Sequence, residues 1–550
     1  MPAARSLLFV ALAVGRALST SEYDSTKSNL VIEGAEFDIA EALLEHGIEI
    51  SQMPDLKALS EASEPACEAA CSSLKLVFGD SAVDTRGEEE FASFINSYWS
   101  SNQADVTPSC VVKPSNAVEV SVIVLFSRLT QCPFAAKSGG HASMARASNS
   151  DGGITISFSN MKTTSLSDER DIAYVQPGNI WGDVYAELAQ FDLTVIGGRL
   201  HNIGVGGLTT GGGISFFSNL YGWACDNVES FDVVIASGAI VHATASNHTD
   251  LYWALRGGGN NFGLVVSFNL WTVPLPGGEM WGGSRTYTED KFPEVTDAFT
   301  KTVADTSDLK AGLWHVWIPY GGNNLAITTM YYSEPGGGNV TIWSDYNRIE
   351  AVRDDTKDRA LPDWTKEGME ASPPGLREMY YVITTKADPE LFAFARDLFF
   401  KNELEVANVP GIVPAMVTQG VTPSQLERMT RNGGNPLGLN TEDGPVYIIL
   451  LCTMWNNKED DDAIYSFMSS TLEQISTEAK KRDSANDYLY MNYASQFQDV
   501  ISGYGGENKA RLKSISEKYD PKQVFQKLQP GYFKLDRAPI PDSGYFSTSI

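Results

Sequence analysis

Two glycine-dense turns carry the first chemical signal in this chain. Lys137-Ser-Gly-Gly-His141 places an imidazole directly behind a tight turn, and Gly204-Val-Gly-Gly-Leu-Thr-Thr-Gly-Gly-Gly213 follows further along. Turns of this kind present backbone N–H groups at close range, which suits a phosphate-bearing cofactor. Such a phosphate would have to be gripped locally, because the chain carries a formal net charge of −28. That charge argues against nucleic acid or an anionic membrane as a partner, since either would repel it. The spacing excludes two common cradles. A dinucleotide fingerprint needs glycine where Thr209 stands, and a P-loop with Gly206 and Gly211 needs lysine where Gly212 stands. No Gly-x-Ser-x-Gly elbow and no His-Glu-x-x-His spacing occurs, so hydrolase and metalloenzyme readings have little to stand on.

The elements that must position these turns follow from periodicity. At 550 residues with 43% hydrophobic content, the chain can bury more than one core and suits two or three intertwined domains. Residues 1–19 read as a secretory signal peptide, with Arg5 as basic flank, Ser6 to Gly15 as a short apolar core and Ala17-Leu-Ser19 as a cleavage site. Residues 20–103 form an N-terminal extension of short helices and polar loops. Within 104–275, Val111 to Pro114 is extended, Ala117 to Leu129 and Ile180 to Phe191 are helical, and Phe134 to Lys137 is a strand. Pro177-Gly178 ends a strand just before that second helix, whose N-terminal N–H groups could face a diphosphate. Residues 276–485 hold longer strands, Leu313 to Tyr320, Leu325 to Ser333, Arg377 to Thr385 and Val446 to Trp455, with helices at 389–402 and 462–482. The expected fold is α+β, with an antiparallel sheet covered by helices on one face as the wall of a substrate pocket. Residues 486–540 form a C-terminal segment. Of six cysteines, Cys67, Cys71, Cys110 and Cys132 cluster near the N-terminus. Cys67 and Cys71 share a helix face, so each is expected to bridge to Cys110 or Cys132. Asn247-His-Thr and Asn339-Val-Thr are glycosylation sequons compatible with secretion.

A family resemblance rests on an ordered series of motifs. These are Ser138-Gly-Gly-His141, Gly197-Gly-Arg199, Gly204-Val-Gly-Gly207, Gly211-Gly-Gly213, Gly222-Trp-Ala-Cys-Asp-Asn227 and Asp250-Leu-Tyr-Trp-Ala-Leu-Arg-Gly-Gly-Gly-Asn-Asn-Phe-Gly263. They resemble the FAD-binding domain of the vanillyl-alcohol-oxidase/PCMH-type flavoproteins. Tyr490-Met-Asn-Tyr493 and Tyr519-Asp-Pro-Lys-Gln-Val-Phe525 resemble the C-terminal segment of the berberine-bridge-enzyme-like branch, in the style of its secreted fungal members. The resemblance implies a two-subdomain FAD domain, completed by residues 486–540, plus an α/β substrate domain.

The same resemblance implies roles for individual residues. His141 matches the histidine that bonds covalently to the flavin. Leu200 stands where doubly linked members carry cysteine, so a single bond is expected, and His201 beside it is expected to be a loop or pocket-lining residue. Ser138, Gly139, Gly140, Pro177, Gly178, Gly197, Gly207, Thr210, Gly211, Gly213, Ile214, Asn227 and Val266 are the expected cofactor contacts. Tyr493 matches the catalytic base, which needs a neighbouring cation or hydrogen bonds to hold a phenolate. Ile203 falls at the position that controls access of dioxygen, and isoleucine there leaves oxidase and dehydrogenase both open. Arg146 stands where fungal relatives usually have glycine, a cation that could reshape the flavin or substrate entrance or mark a degenerate enzyme. The expected activity is hydride transfer from a carbon bearing a hydroxyl or amine to FAD, with O2 as acceptor, on a small-molecule substrate, in a secreted monomer. An oxidative cyclase or dehydrogenase of secondary metabolism, or a flavin-retaining protein without turnover, are the alternatives.

Overall fold

The computed structural model describes residues 33–34, 37–57 and 66–547, so the signal peptide expected at 1–19 lies outside the described residues. The first sheet places Val83–Thr85, Cys110–Val112, Ile154–Ser157 and Phe134–Lys137 side by side, the last three mutually parallel. The helix Ala117–Thr130 makes the crossover. Asn116 caps its start by accepting the Glu119 N–H at 3.0 Å, and Gln131 ends it in the left-handed region at φ 53°. Nearly every side of this helix is buried, because it lies between two layers. The chain leaves the carboxyl end of Phe134–Lys137 directly into Ser138–His141, the end of a parallel sheet at which ligands are held.

The described part of the extension at 20–103 is built into this unit. Its strand Val83–Thr85 joins the sheet, and the helix Cys67–Phe78 is tied down by the disulfides Cys67–Cys132 and Cys71–Cys110. Both pairings follow the expected rule. Each closes a long loop, 65 and 39 residues respectively, so each restricts the unfolded chain by about 4 kcal/mol on the loop-entropy relation. Replacing Cys71 and Cys110 together by alanine should lower the unfolding free energy by roughly 3–4 kcal/mol in non-reducing denaturant titrations. An unchanged midpoint would show that the bridge constrains nothing.

A second, antiparallel sheet orders Thr164–Leu166, Ile172–Val175, Leu264–Pro274, Val228–Val234 and Ile240–Thr244, with Leu193–Val195 on the far end of the long strand. The third sheet is antiparallel and runs Arg353–Asp354, Glu279–Thr288, Asn323–Tyr332, Ala311–Tyr320, Val413–Val421, Val446–Trp455, Arg377–Lys386 and Ala485–Asn486, with Lys357–Ala360 also on Glu279–Thr288. Side chains alternate across its strands. Met379, Tyr381 and Ile383 enter the core beneath the helices Phe292–Ala304, Pro389–Asn402 and Asp461–Lys481. Val382, Val421, Val446 and Ile448 point the other way, into the core shared with the second sheet. Glu378 and Tyr380 lie on that second face. The C-terminal segment returns to the first sheet, where Phe134 N–H donates to the Leu528 carbonyl at 2.6 Å and Asp520 caps Val524 and Phe525 at 2.7 and 2.8 Å.

Candidate active site

Ser138 joins three loops. Its hydroxyl donates to the Pro177 carbonyl at 2.5 Å and accepts the Gly206 N–H at 3.1 Å. Beside it the two glycine turns meet backbone to backbone. A Cβ on Gly139 would stand 2.4 Å from the Gly204 nitrogen, and one on Gly204 would stand 2.1 Å from the Gly139 nitrogen. Gly178 is likewise closed against the Phe158 carbonyl, Gly197 lies under the Trp181 ring and Gly211 lies against the Asn492 side chain. Gly140 and Gly213 take φ of 72° and 90°, which favours glycine. Gly207 alone among the expected cofactor glycines faces open space. The helix Trp181–Ala189 departs from expectation. Its first two N–H groups, of Trp181 and Gly182, donate to the Ile203 and His201 carbonyls at 3.0 Å each, so the chain itself occupies that end. The cause is an antiparallel bridge between Ile180 and Gly204, which folds the loop at 200–204 over the helix start.

His141 is half-buried, with its ring stacked on Trp99 at 4.0 Å and 12° between planes. Its Nε2 is buried and has no hydrogen-bond partner. Burial pushes the imidazole pKa down to about 4, against weaker opposing hydrogen bonds from its own backbone and Asn202, so the ring is neutral at pH 7. A neutral imidazole held by a ring stack, with an orphaned buried nitrogen, fits a cofactor that would satisfy it there. Trp99 comes from the extension, and its indole N–H donates to the Ser372 carbonyl at 3.2 Å.

Across from His141, Tyr380 links Trp99 to Tyr493, with ring separations of 5.8 and 6.0 Å. The Tyr493 hydroxyl oxygen accepts a hydrogen bond from Arg199 Nη2 at 2.6 Å. Arg199 in turn donates to Gln419 Oε1 at 2.8 Å and lies 4.5 Å above the Trp314 ring. The sequence leaves open whether a cation or hydrogen bonds would accompany Tyr493; the donor at its oxygen is the third residue of Gly197-Gly-Arg199. The segment Tyr490–Tyr493 is latched onto the glycine run. Tyr490 accepts the Gly213 and Ile214 N–H groups at 3.2 and 3.1 Å, and Asn492 donates to the Leu208 carbonyl at 3.1 Å.

Residues 108–244 match the model of an FAD binding domain. The FAD-dependent monooxygenase tpcD of Cochliobolus heterostrophus is 34% identical over 461 residues, 81% of this chain and 88% of the relative. The chain belongs to the same family of FAD-linked oxidoreductases as this relative. Solved structures share the fold of this FAD-linked oxidoreductase. A xylooligosaccharide oxidase from Myceliophthora thermophila aligns with a TM-score of 0.71 at 19% identity, covering 85% of this chain and 99% of that one. A histidine-to-alanine variant of berberine bridge enzyme in complex with (S)-reticuline aligns at 0.69 and 18%, covering 84% and 98%.

The other expected positions of the oxidoreductase divide in two. Thr210 and Ile214 lie in the glycine run, Thr210 donating to the Gly206 carbonyl at 3.0 Å. Ile203 packs half-buried against the central core. Asn227 is buried and donates to the Tyr221 and Trp223 carbonyls, and Val266 belongs to the core around the first sheet. His201 shields Gly182, where a Cβ would overlap its ring. Arg146 reaches solvent and pairs with Asp151 at 2.6 Å, while its backbone holds φ 66°, the left-handed conformation that suits a glycine. Asn247 and Asn339 are both exposed.

Glu378 is the feature of this wall that the sequence does not announce. It is 3% exposed, its Oε1 has no partner, and burial pushes its carboxyl up to about 9 from 4.5. At pH 7 the folded protein therefore holds a proton that the unfolded chain releases. Between about pH 4.5 and 9 the folded state binds more protons, so stability falls as pH rises. Glu378→Gln, which cannot ionise, should stabilise the protein by up to about 3 kcal/mol at pH 7 and by little at pH 4. Urea unfolding at the two pH values checks this, and an equal effect at both would show that the carboxyl is not held protonated.

Proposed function

We propose that this oxidoreductase removes hydride from a substrate carbon bearing a hydroxyl or amine and passes the electrons to O2, with Tyr493 as base and His141 as the single covalent anchor of the cofactor. Bound FAD supplies the hydride acceptor at N5. The observation that carries the reading is the 2.6 Å hydrogen bond from Arg199 to the Tyr493 hydroxyl oxygen. A fixed guanidinium donating to this oxygen is aligned with the atom that would take up the substrate proton. Arg199 is itself held by Gln419 and Trp314, so it is in place before substrate arrives. His141 and Ser138 hold the cofactor side, and Tyr380 and the sheet face around it orient the substrate and exclude water. Leu200 offers no thiol for a second link. The tpcD relative is a monooxygenase by name, which supports dioxygen as co-substrate. Secretion as a monomer is part of the same proposal, supported by the apolar N-terminal stretch, two disulfides and two exposed sequons.

The test is a screen of the purified protein against sugars, primary and secondary alcohols and phenolic metabolites, reading flavin bleaching without oxygen and peroxide release in air. The expected result is both signals with one substrate class. Bleaching without peroxide would replace the oxidase by a dehydrogenase or oxidative cyclase. No bleaching with any class would favour a flavin-retaining protein without turnover.

A further inference from the structure

Among the described residues the buried arginines are matched by carboxylates, whereas the half-buried arginine at the site is not. Arg256 is paired with Asp226 at 3.4 Å and with the carbonyls of Cys225, Arg431 and Asn432. Arg377 holds Asp461 and Asp105, Arg128 holds Glu33 at 2.9 Å, and Arg359 holds Glu367. Arg199 is half-buried, and among the described residues no carboxylate lies within 4.0 Å of it. Its contacts are an amide oxygen, a phenol and an indole ring. Hydrogen bonds to these groups occupy two of its donors, but no fixed carboxylate compensates the charge, which is costly away from water. Glu378, the acid on the same sheet face, is buried without a charged partner and keeps its proton at neutral pH. In a chain of net charge −28, an unmatched cation at the site is not a by-product of composition.

One Nη1 and one Nη2 hydrogen of its five N–H donors are taken by Gln419 and Tyr493, and the other three are available to a further acceptor. The guanidinium is clamped by groups from Ala311–Tyr320, Val413–Val421 and the C-terminal segment, so a ligand need not order it. The surroundings are aromatic, with Trp314 beneath the guanidinium, Tyr331 beside Trp314 and Tyr380 beside Tyr493. We propose that Arg199 is a substrate-binding cation as well as the partner of Tyr493, and that the substrate is a flat, conjugated molecule carrying an acidic oxygen: a carboxylate, an enolate or a phenolate. This rests on the assignment of the same pocket as the substrate site.

Benzoate and benzamide, matched in shape and different in charge, are the probes, titrated into the flavin-containing protein and read by the flavin difference spectrum. Benzoate should bind at least about tenfold more tightly than benzamide, the order of a charge-assisted hydrogen bond. Arg199→Gln should abolish that preference by weakening benzoate alone, and Arg199→Lys should keep part of it. Equal affinities in the wild type, a preference that survives in Arg199→Gln, or no binding of benzoate up to millimolar concentration would each overturn the proposal. If Arg199→Gln fails to fold, the wild-type comparison and Arg199→Lys still decide, since loss of the whole preference in the lysine variant would count against a role for charge in favour of shape. The two readings fail separately. A benzoate preference without peroxide release from any substrate would refute the oxidase and leave the anion site, and peroxide release without the preference would do the reverse.

Discussion

Holoprotein carrying His141→Ala should lose all of its acid-stable flavin: after acid precipitation the yellow colour should move entirely to the supernatant, whereas in the wild type it should stay with the pellet. The expected effect is complete because no second thiol is available to form the bond. Leu200 stands where a thiol would be needed, and the two cysteines outside the disulfides are unsuited. Cys225 is fully buried, and burial pushes the Cys452 thiol up to about 12, so neither offers a thiolate at neutral pH. His141 differs in the relevant respect, since its imidazole is neutral at pH 7 and held by the Trp99 stack. Trp99→Leu should therefore slow the formation of the bond while leaving its final yield high, because it loosens the ring without removing it. Acid-stable flavin in His141→Ala would transfer the anchor to another residue. Noncovalent flavin in the wild type would remove the covalent link altogether.

What the sequence revealed and what it withheld have physical causes. Long regular elements were legible because a continuous period leaves no competing choice: Phe134–Lys137, Pro389–Asn402 and Val446–Trp455 fall where the pattern places them. Val413–Val421 was not, since Pro414 and Gly420 interrupt its strand pattern. Pro414 is tolerated because it lies outside the stretch, Met416 to Gln419, that pairs with Ala311–Tyr320. Glycine motifs announced where loops approach one another, but not what approaches. Gly139 and Gly204 press on each other, and the start of the helix at Trp181 is closed by carbonyls of the same loop. No local rule reports a hydrogen bond made across a bridge such as Ile180 with Gly204.

The site partners withheld by the sequence are those brought in from a distance. Trp99 lies in an extension that composition marks only as helices and loops, yet the fold lays it on His141. Arg199 sits in a recognised motif, but its role depends on Tyr493, 294 residues away. Glu378 reads as one polar residue in a strand, and only the face it occupies makes it a buried acid. Arg146 shows the converse. A large cation in place of glycine invites a functional reading, whereas its side chain reaches solvent and only its left-handed backbone keeps the glycine geometry.

Tyr493→Phe should slow flavin reduction by a true substrate by about 10²–10⁴-fold, the range for loss of a positioned acid–base group, while leaving the fold intact. Phenylalanine keeps the ring that meets Tyr490 edge-on at 4.7 Å and Tyr380 at 6.0 Å, so packing is preserved and only the oxygen is lost. Arg199 would retain Gln419 and Trp314, so the guanidinium should stay near its position with one donor unpaired. The loss should therefore fall on the rate of reduction and far less on substrate affinity, since the proton leaves only as the hydride does. Stopped-flow bleaching without oxygen separates the two. Arg199→Lys should be milder than Tyr493→Phe, because an ammonium keeps the charge but not the planar fork shared by Tyr493 and Gln419. A rate unchanged in Tyr493→Phe would remove Tyr493 as the base. A rate unchanged there but lost in Arg199→Gln would assign the guanidinium to the substrate alone.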